Sequence, residues 1–156
     1  MQEDGFEALL LKGQGTARLY PVPHSRLAGD IDVWVLGARK QIIDYVRRDL
    51  PNCRPVYHHV DARIAGADAV ELHFFPTWMY NYFANRRLQK MFCEYASKPF
   101  AAQCTLPIGG VDIPIPTVTF NSVYVLIHLY RHLFEEGIGL RQLLDYYYIW
   151  QQRENL

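Results

Sequence analysis

Between Gly29 and Gly37 the chain reads Asp-Ile-Asp-Val-Trp-Val-Leu, an alternation that an extended strand satisfies and a helix does not. Successive side chains on a strand point to opposite faces. Ile31, Val33 and Val35 therefore share one face, while Asp30, Asp32 and Trp34 share the other. The apolar face is expected to pin the strand to a core. The opposite face then presents two carboxylates side by side, and like charges held this close repel each other. A hard divalent cation removes that cost, because Mg2+ and Mn2+ prefer oxygen ligands.

The flanking segments place this strand in a mixed α/β or α+β domain, a small mixed sheet flanked by helices. Residues 7–12 read as a short strand stopped by Gly13. Residues 14–20 read as a short helix closed by Pro21-Val22-Pro23, and residues 24–29 as a loop. Residues 38–50 carry Ile42, Ile43, Val46 and Leu50 at helical spacing, with Pro51 marking the exit. Residues 56–63 and 69–75 are expected to form a hairpin around Gly66. In the second of these strands Val70, Leu72 and Phe74 face one way, and Glu71 and His73 the other.

Residues 78–97 read as an aromatic-rich helix, and residues 106–115 as a second hairpin centred on Gly109-Gly110. Two helices follow, over residues 122–135 and 140–151, separated by Gly137 and Gly139. Their expected apolar stripes are Val123, Ile127, Tyr130 and Phe134, then Leu140, Leu143, Leu144 and Tyr147. The expected division is an α/β core over residues 1–116 and a helical segment over 117–156 packed on it. The chain ends inside a helical pattern, so that segment is read as cut short.

Charge narrows the function. Lys plus Arg equals Asp plus Glu at 16 each in 156 residues. A balanced chain has no general attraction to a phosphate backbone, so a small-molecule or protein partner is expected over a long nucleic acid. Hydrophobic residues make up 50% of the chain, ample for a core and contrary to disorder. Cys53, Cys93 and Cys104 lack CxxC spacing and read as thiols of a reducing compartment. The longest early apolar run, residues 8–11, is too short for a signal or a membrane span. The cytoplasm is the expected location, with no membrane partner.

Glu71 comes from a separate strand with the same in/out pattern as Asp30 and Asp32. Three carboxylates on neighbouring strands can hold two metal ions about 4 Å apart, an arrangement suited to in-line displacement at phosphorus. The stretch LLLKGQGTARLYPVPHSRLAGDIDVWV then resembles a bacterial family of uncharacterised nucleotidyltransferases in the DNA polymerase beta superfamily. The resemblance rests on Lys12, Gly13, Tyr20, Pro21, Arg26, Gly29, Asp30 and Asp32. It extends through VDARIAGADAVELHF, with Glu71 as the third acidic residue, and HLYRHLFEEGIGLRQLLDYYYIW. It implies that Asp30, Asp32 and Glu71 are the catalytic, metal-ligating residues for Mg2+ or Mn2+. It implies that Lys12, Gly13, Gln14, Arg26 and Gly29 bind a nucleoside triphosphate. An acceptor hydroxyl would then take the nucleoside monophosphate, and pyrophosphate would leave. Gly13-Gln14 stands where the wider superfamily usually has Gly-Ser or Gly-Gly. That departure leaves a second expectation open, an inactive binding or regulatory module of toxin–antitoxin type.

Individual residues carry alternatives. Lys12 reads as a phosphate ligand or a surface lysine, and Arg26 as a triphosphate clamp or the structural partner of an aspartate. His73 reads as a nucleotide contact or a satisfied histidine beside the site. His128 and His132, four apart on a helix, have a spacing that can hold zinc, but no third ligand stands at a diagnostic distance. Arg141 and Asp145 are expected to form an ordinary surface pair. Tyr146-Tyr147-Tyr148 and Trp150 are expected to pack rather than to stack on bases.

Overall fold

The computed structural model describes residues 5–27, 29–49, 53, 55–62, 70–97 and 104–152. Strands β1 (Glu7–Leu10), β2 (Ile31–Leu36), β3 (His59–Ala62) and β4 (Val70–His73) form a four-stranded mixed sheet in the order β1-β2-β4-β3. β1 runs antiparallel to β2, β2 parallel to β4, and β4 antiparallel to β3. The expected turn residue Gly66 lies outside the described residues, as do Leu50 and Pro51. A separate hairpin pairs β5 (Cys104–Ile108) with β6 (Val111–Ile115) around Gly109 and Gly110. Both glycines have positive φ, 59° and 83°, a backbone that other residues adopt at a cost.

Helices α1 (Gln14–Ala17), α2 (Arg39–Asp49), α3 (Tyr82–Ala96), α4 (Val118–Glu135) and α5 (Leu140–Gln151) complete the fold. The fold is mixed α+β, as the segment pattern implies. Two boundaries differ from expectation because of caps. Asn81 accepts a hydrogen bond from Ala84 N and starts α3 after residue 78, while Thr117 accepts one from Phe120 N and starts α4 before residue 122.

The two sheet faces are covered differently. On one, Val35, Val60, Ala62, Val70 and Leu72 pack against Ile42 and Val46 of α2. On the other, Leu9 and Trp34 pack with Leu88 and Phe92 of α3, Phe120 and Tyr124 of α4, and Ile149 of α5. β2, a central strand, is thus covered on both sides, as parallel pairing favours. This corrects the simple in/out reading of β2. Asp32 and Trp34 are buried, whereas Ile31, on the supposed core face, is 42% exposed beside a cavity under the β5–β6 hairpin.

The apolar stripes expected on the last two helices are also corrected. Tyr130 and Phe134 are exposed, and α4 buries Phe120, Tyr124, Val125 and Arg131. On α5 Leu140, Leu143, Leu144 and Tyr147 are exposed, and Asp145 and Ile149 are buried. Both helices carry apolar residues on more than one side, so spacing alone does not select the buried face. The buried face is chosen by Phe120, Tyr124 and Ile149 packing with Leu9 and Trp34 and by the pairing of Asp145 with Arg26.

Candidate active site

Strand register assembles one polar row across three strands. Asp32 of β2 stands opposite Glu71 of β4, and Glu71 stands opposite Asp61 of β3. One step along, His73 lies between Trp34 and His59. Residues paired across a sheet point to the same face, so Asp32, Glu71, Asp61, His59 and His73 share the face that α3, α4 and α5 cover. His73 Nε2 lies 3.1 Å from both Asp32 Oδ1 and Glu71 Oε2. His59 Nε2 lies 3.1 Å from Asp61 Oδ1, and its Nδ1 3.1 Å from His58 Nε2.

Lys12, just beyond β1, sends its Nζ to within 2.9 Å of Asp32 Oδ1 and 3.0 Å of His128 Nε2. Asp32 is 2% exposed. Burial alone would favour its neutral form, but Lys12 and His73 hold its carboxyl well below the usual range. His73 also lowers Glu71 by hydrogen bonding, against the opposing effect of burial. His73 itself is raised: burial works against its charge, and the hydrogen bonds to Asp32 and Glu71 outweigh it. Across the cleft His128 is pushed well below its ordinary value by burial, then by Lys12 and His132.

Helix α4 forms the opposite wall. His128 Nε2 and His132 Nε2 are 2.8 Å apart, and His132 Nδ1 is 3.1 Å from Glu136 Oε2. Arg131 is buried with its guanidinium 4.4 Å from the Trp78 ring centre, and it donates to Glu135. Glu135 also accepts from the Tyr80 hydroxyl. Between the walls lies a cavity of about 290 Å³ that Asp30, Asp32, Glu71, Lys12, His73 and Arg131 help to line.

The structure therefore brings Asp30, Asp32 and Glu71 to one cavity, though not as two equal strand residues. Asp30 precedes β2 and is exposed at the rim, while Asp32 lies deep inside. Lys12, Gly13, Gln14, Arg26, Gly29 and Asp30 also line a second cavity of about 500 Å³, otherwise walled by Ala8 and Leu10 of β1, Ile31 and Val33 of β2 and the β5–β6 hairpin. Lys12 and Asp30 belong to both cavities.

The sequence readings are refined at several points. Lys12 is not an exposed surface lysine; it is ion-paired with Asp32. Arg26 is paired with an aspartate, Asp145, and also lines the larger cavity. Its Nε and NH2 each donate at 2.8 Å to the two oxygens of Asp145, and NH1 reaches the Leu27 carbonyl at 3.3 Å. Asp145 is accordingly no surface residue: it is 6% exposed and also accepts from the Tyr20 hydroxyl at 2.7 Å. Arg141 instead lies against Gly29, where an added Cβ would meet its NH1 at 2.7 Å.

His58, His59, Asp61 and Arg131 were not singled out from the sequence. The alternation of His59-Val60-Asp61-Ala62 carried a signal for two of them, since it puts His59 and Asp61 on the polar side of a strand. His128 and His132 do come together, with a lysine as their third neighbour. Metal-ligand geometry among the described residues falls elsewhere, on Asp32, Glu71, His73, His58, His59 and Asp61, whose donor atoms group in threes within 4.8 Å of one another.

Three comparisons bear on this arrangement. Over residues 1–156 the chain matches the family described as uncharacterised nucleotidyltransferase. No curated protein matches it. Among solved structures it is similar to an antigenic nucleotidyltransferase-like protein from Paracoccidioides brasiliensis, at 14% identity and a TM-score of 0.55. The likeness covers 95% of this chain and 69% of that one, and it concerns the fold.

Proposed function

The chain belongs to the uncharacterised nucleotidyltransferase family, and on that premise we propose that it transfers a nucleoside monophosphate from a nucleoside triphosphate to an acceptor hydroxyl, releasing pyrophosphate. The observation that carries this reading is the register pair Asp32–Glu71 with Asp30 at the rim of the same cavity. The donor set fits a divalent cation. Asp32 and Glu71 are held ionised side by side, with the Lys12 ammonium on Asp32 and His73 Nε2 donating between the two carboxylates.

Asp30, Asp32 and Glu71 would hold Mg2+ or Mn2+, as one ion or two, which supplies charge neutralisation at the transferring phosphoryl group. Glu71, kept ionised by His73, accepts the hydrogen bond of the acceptor hydroxyl and orients its oxygen toward the α-phosphorus. As the new O–P bond forms, the hydroxyl proton passes to Glu71, and the bond from the α-phosphorus to the oxygen that leaves with pyrophosphate breaks. Lys12, Gly13 and Gln14 lie where the triphosphate oxygens would sit, next to Asp30. Arg26, bound to Asp145, lines the same cavity. The balanced charge of the chain favours a small-molecule or protein acceptor. We place the reaction in the cytoplasm, where triphosphates coexist with free thiols such as Cys53, Cys93 and Cys104. Among the described residues no helix is long and apolar enough to cross a membrane.

Calorimetric titration with ATP, GTP, CTP and UTP in the presence of Mg2+ tests the reading. At least one is expected to bind, and binding is expected to vanish in Asp32→Asn. No heat with any of the four overturns it. A second reading, a non-catalytic module of toxin–antitoxin type, draws on Lys12 and Arg26, whose charges are both engaged inside the protein. Triphosphate binding with no turnover, together with a co-purifying protein partner, selects it.

A further inference from the structure

Beside the carboxylates lie three imidazoles, of which the proposed nucleotidyl transfer uses His73 alone, to keep Glu71 ionised. The ligating atoms of His58, His59 and His73 all lie within 4.8 Å of one another. His59 and His73 face each other in the register of β3 and β4. Their ring centres are 5.3 Å apart, and the His58 ring stands 4.4 Å from that of His59 and 5.4 Å from that of His73. Nitrogens about 2.0–2.1 Å from a tetrahedral zinc ion are separated by about 3.3 Å. The donor atoms would have to close by at most about 1.5 Å to meet a single ion.

The surroundings add a fourth donor and an outer shell. Glu71 Oε2 is 3.8 Å from His59 Nδ1 and 3.1 Å from His73 Nε2. Asp61 sits on the far side of His59, 3.1 Å from Nε2. A carboxylate there holds the ring hydrogen on Nε2 and leaves Nδ1 as the ligating atom, an arrangement common behind metal-bound histidines. His73 is 1% exposed; without an ion its Nε2 carries the hydrogen shared with Asp32 and Glu71, the hydrogen a bound cation would displace. Its Nδ1 has no hydrogen-bond partner to which a hydrogen could be handed within the protein. His58 is kept neutral by burial and by the neighbouring rings, which push it down to about 3. Charge also favours a cation. Asp30, Asp32, Glu71, Glu135 and Glu136 line the cavity against Lys12 and Arg131, and these two cations pair with Asp32 and Glu135.

We propose that His58 Nε2, His59 Nδ1, His73 Nε2 and Glu71 form a zinc-type transition-metal site beside the oxygen-donor pair Asp30 and Asp32. Imidazole nitrogen selects Zn2+ and Co2+ over Mg2+, which demands oxygen. The inference rests on these side chains and not on nucleotidyl transfer, although Glu71 belongs to both sites.

The test uses the full chain stripped with a chelator and titrated with Co2+, read by the visible absorption of the bound ion. One equivalent is expected to bind, to be displaced by Zn2+ and to survive excess Mg2+. His58→Ala and His59→Ala are each expected to weaken Co2+ binding by at least about tenfold, the loss that even an outer-shell partner causes. His24→Ala, on an exposed turn, is expected to leave it unchanged. Far-UV circular dichroism confirms that each variant folds, and His58→Gln replaces His58→Ala if that variant does not. Absence of saturable Co2+ binding, displacement by Mg2+, or unchanged affinity in the histidine variants overturns the proposal. No nucleotide enters these measurements, so their outcome is separate from that of the triphosphate titration.

Discussion

Asp32 and Asp145 are both buried acids with cationic partners, yet their surroundings differ in kind. Asp145 on α5 meets the planar fork of Arg26 in two parallel hydrogen bonds and also takes the Tyr20 hydroxyl. Both side chains of that ion pair are less than a tenth exposed. Asp32 meets the point charge of Lys12 and one nitrogen of His73, beside a cavity. A guanidinium fork fixes geometry, whereas an ammonium on a flexible stem can withdraw. The first aspartate ties the residue 20–27 loop to the last helix. The second is held ionised by groups that a metal ion can replace. A buried ion pair does not by itself mark a site; what surrounds the pair does.

The largest expected effect tests the strut. Arg26→Ala leaves Asp145 buried without its fork and is expected to cost about 3–5 kcal/mol in chemical denaturation. A loss under about 1 kcal/mol would show that the loop relaxes and that the comparison fails. Asp32→Asn is expected to cost less, about 1–3 kcal/mol, because Lys12 is 18% exposed and turns to water. Equal losses in the two variants would erase the distinction.

The pH dependence of stability sharpens the Asp32 side. His128, across from Lys12, is held well below its ordinary value by burial, Lys12 and His132, with Asp32 acting in the opposite sense. The unfolded chain protonates this histidine near pH 6.5, while the folded chain does not. Stability is therefore expected to fall as pH drops below about 6.5, by at most about 1.4 kcal/mol per pH unit for this one proton. His73 is shifted the other way, and its contribution is full below pH 6.5 and fades above. His58, pushed down to about 3, adds to the acid-side fall, so denaturation midpoints across this range check the sum and His128→Gln is expected to reduce the acid-side slope without abolishing it. The smallest effect is at Gly29. Gly29→Ala puts a methyl group against the tip of Arg141, a flexible group that can move, so a loss under about 1 kcal/mol is expected. A larger loss would mean that Arg141 is fixed as firmly as Arg26.

Legibility in the sequence followed the range of the interaction. β2 and the β5–β6 hairpin stood out because alternation and a Gly-Gly turn are local signals. Asp30, Asp32 and Glu71 could be named because each sits on the polar side of a short alternating segment. The partner of Arg26 could not be named, since Asp145 is 119 residues away. Nor could the buried face of α5, because five exposed apolar residues outnumber the buried Asp145 and Ile149. The buried aspartate looks polar until its arginine is in place.

The sequence by itself determined which segments alternate, where turns break them and which chemistry-bearing residues lie on the polar side of each strand. Those properties depend on neighbours a few positions apart. Only the tertiary structure decided which carboxylates and histidines meet, which cations they hold and which face of each C-terminal helix is buried. Strand register and side-chain pairing across more than a hundred residues set those outcomes, and no local pattern encodes them.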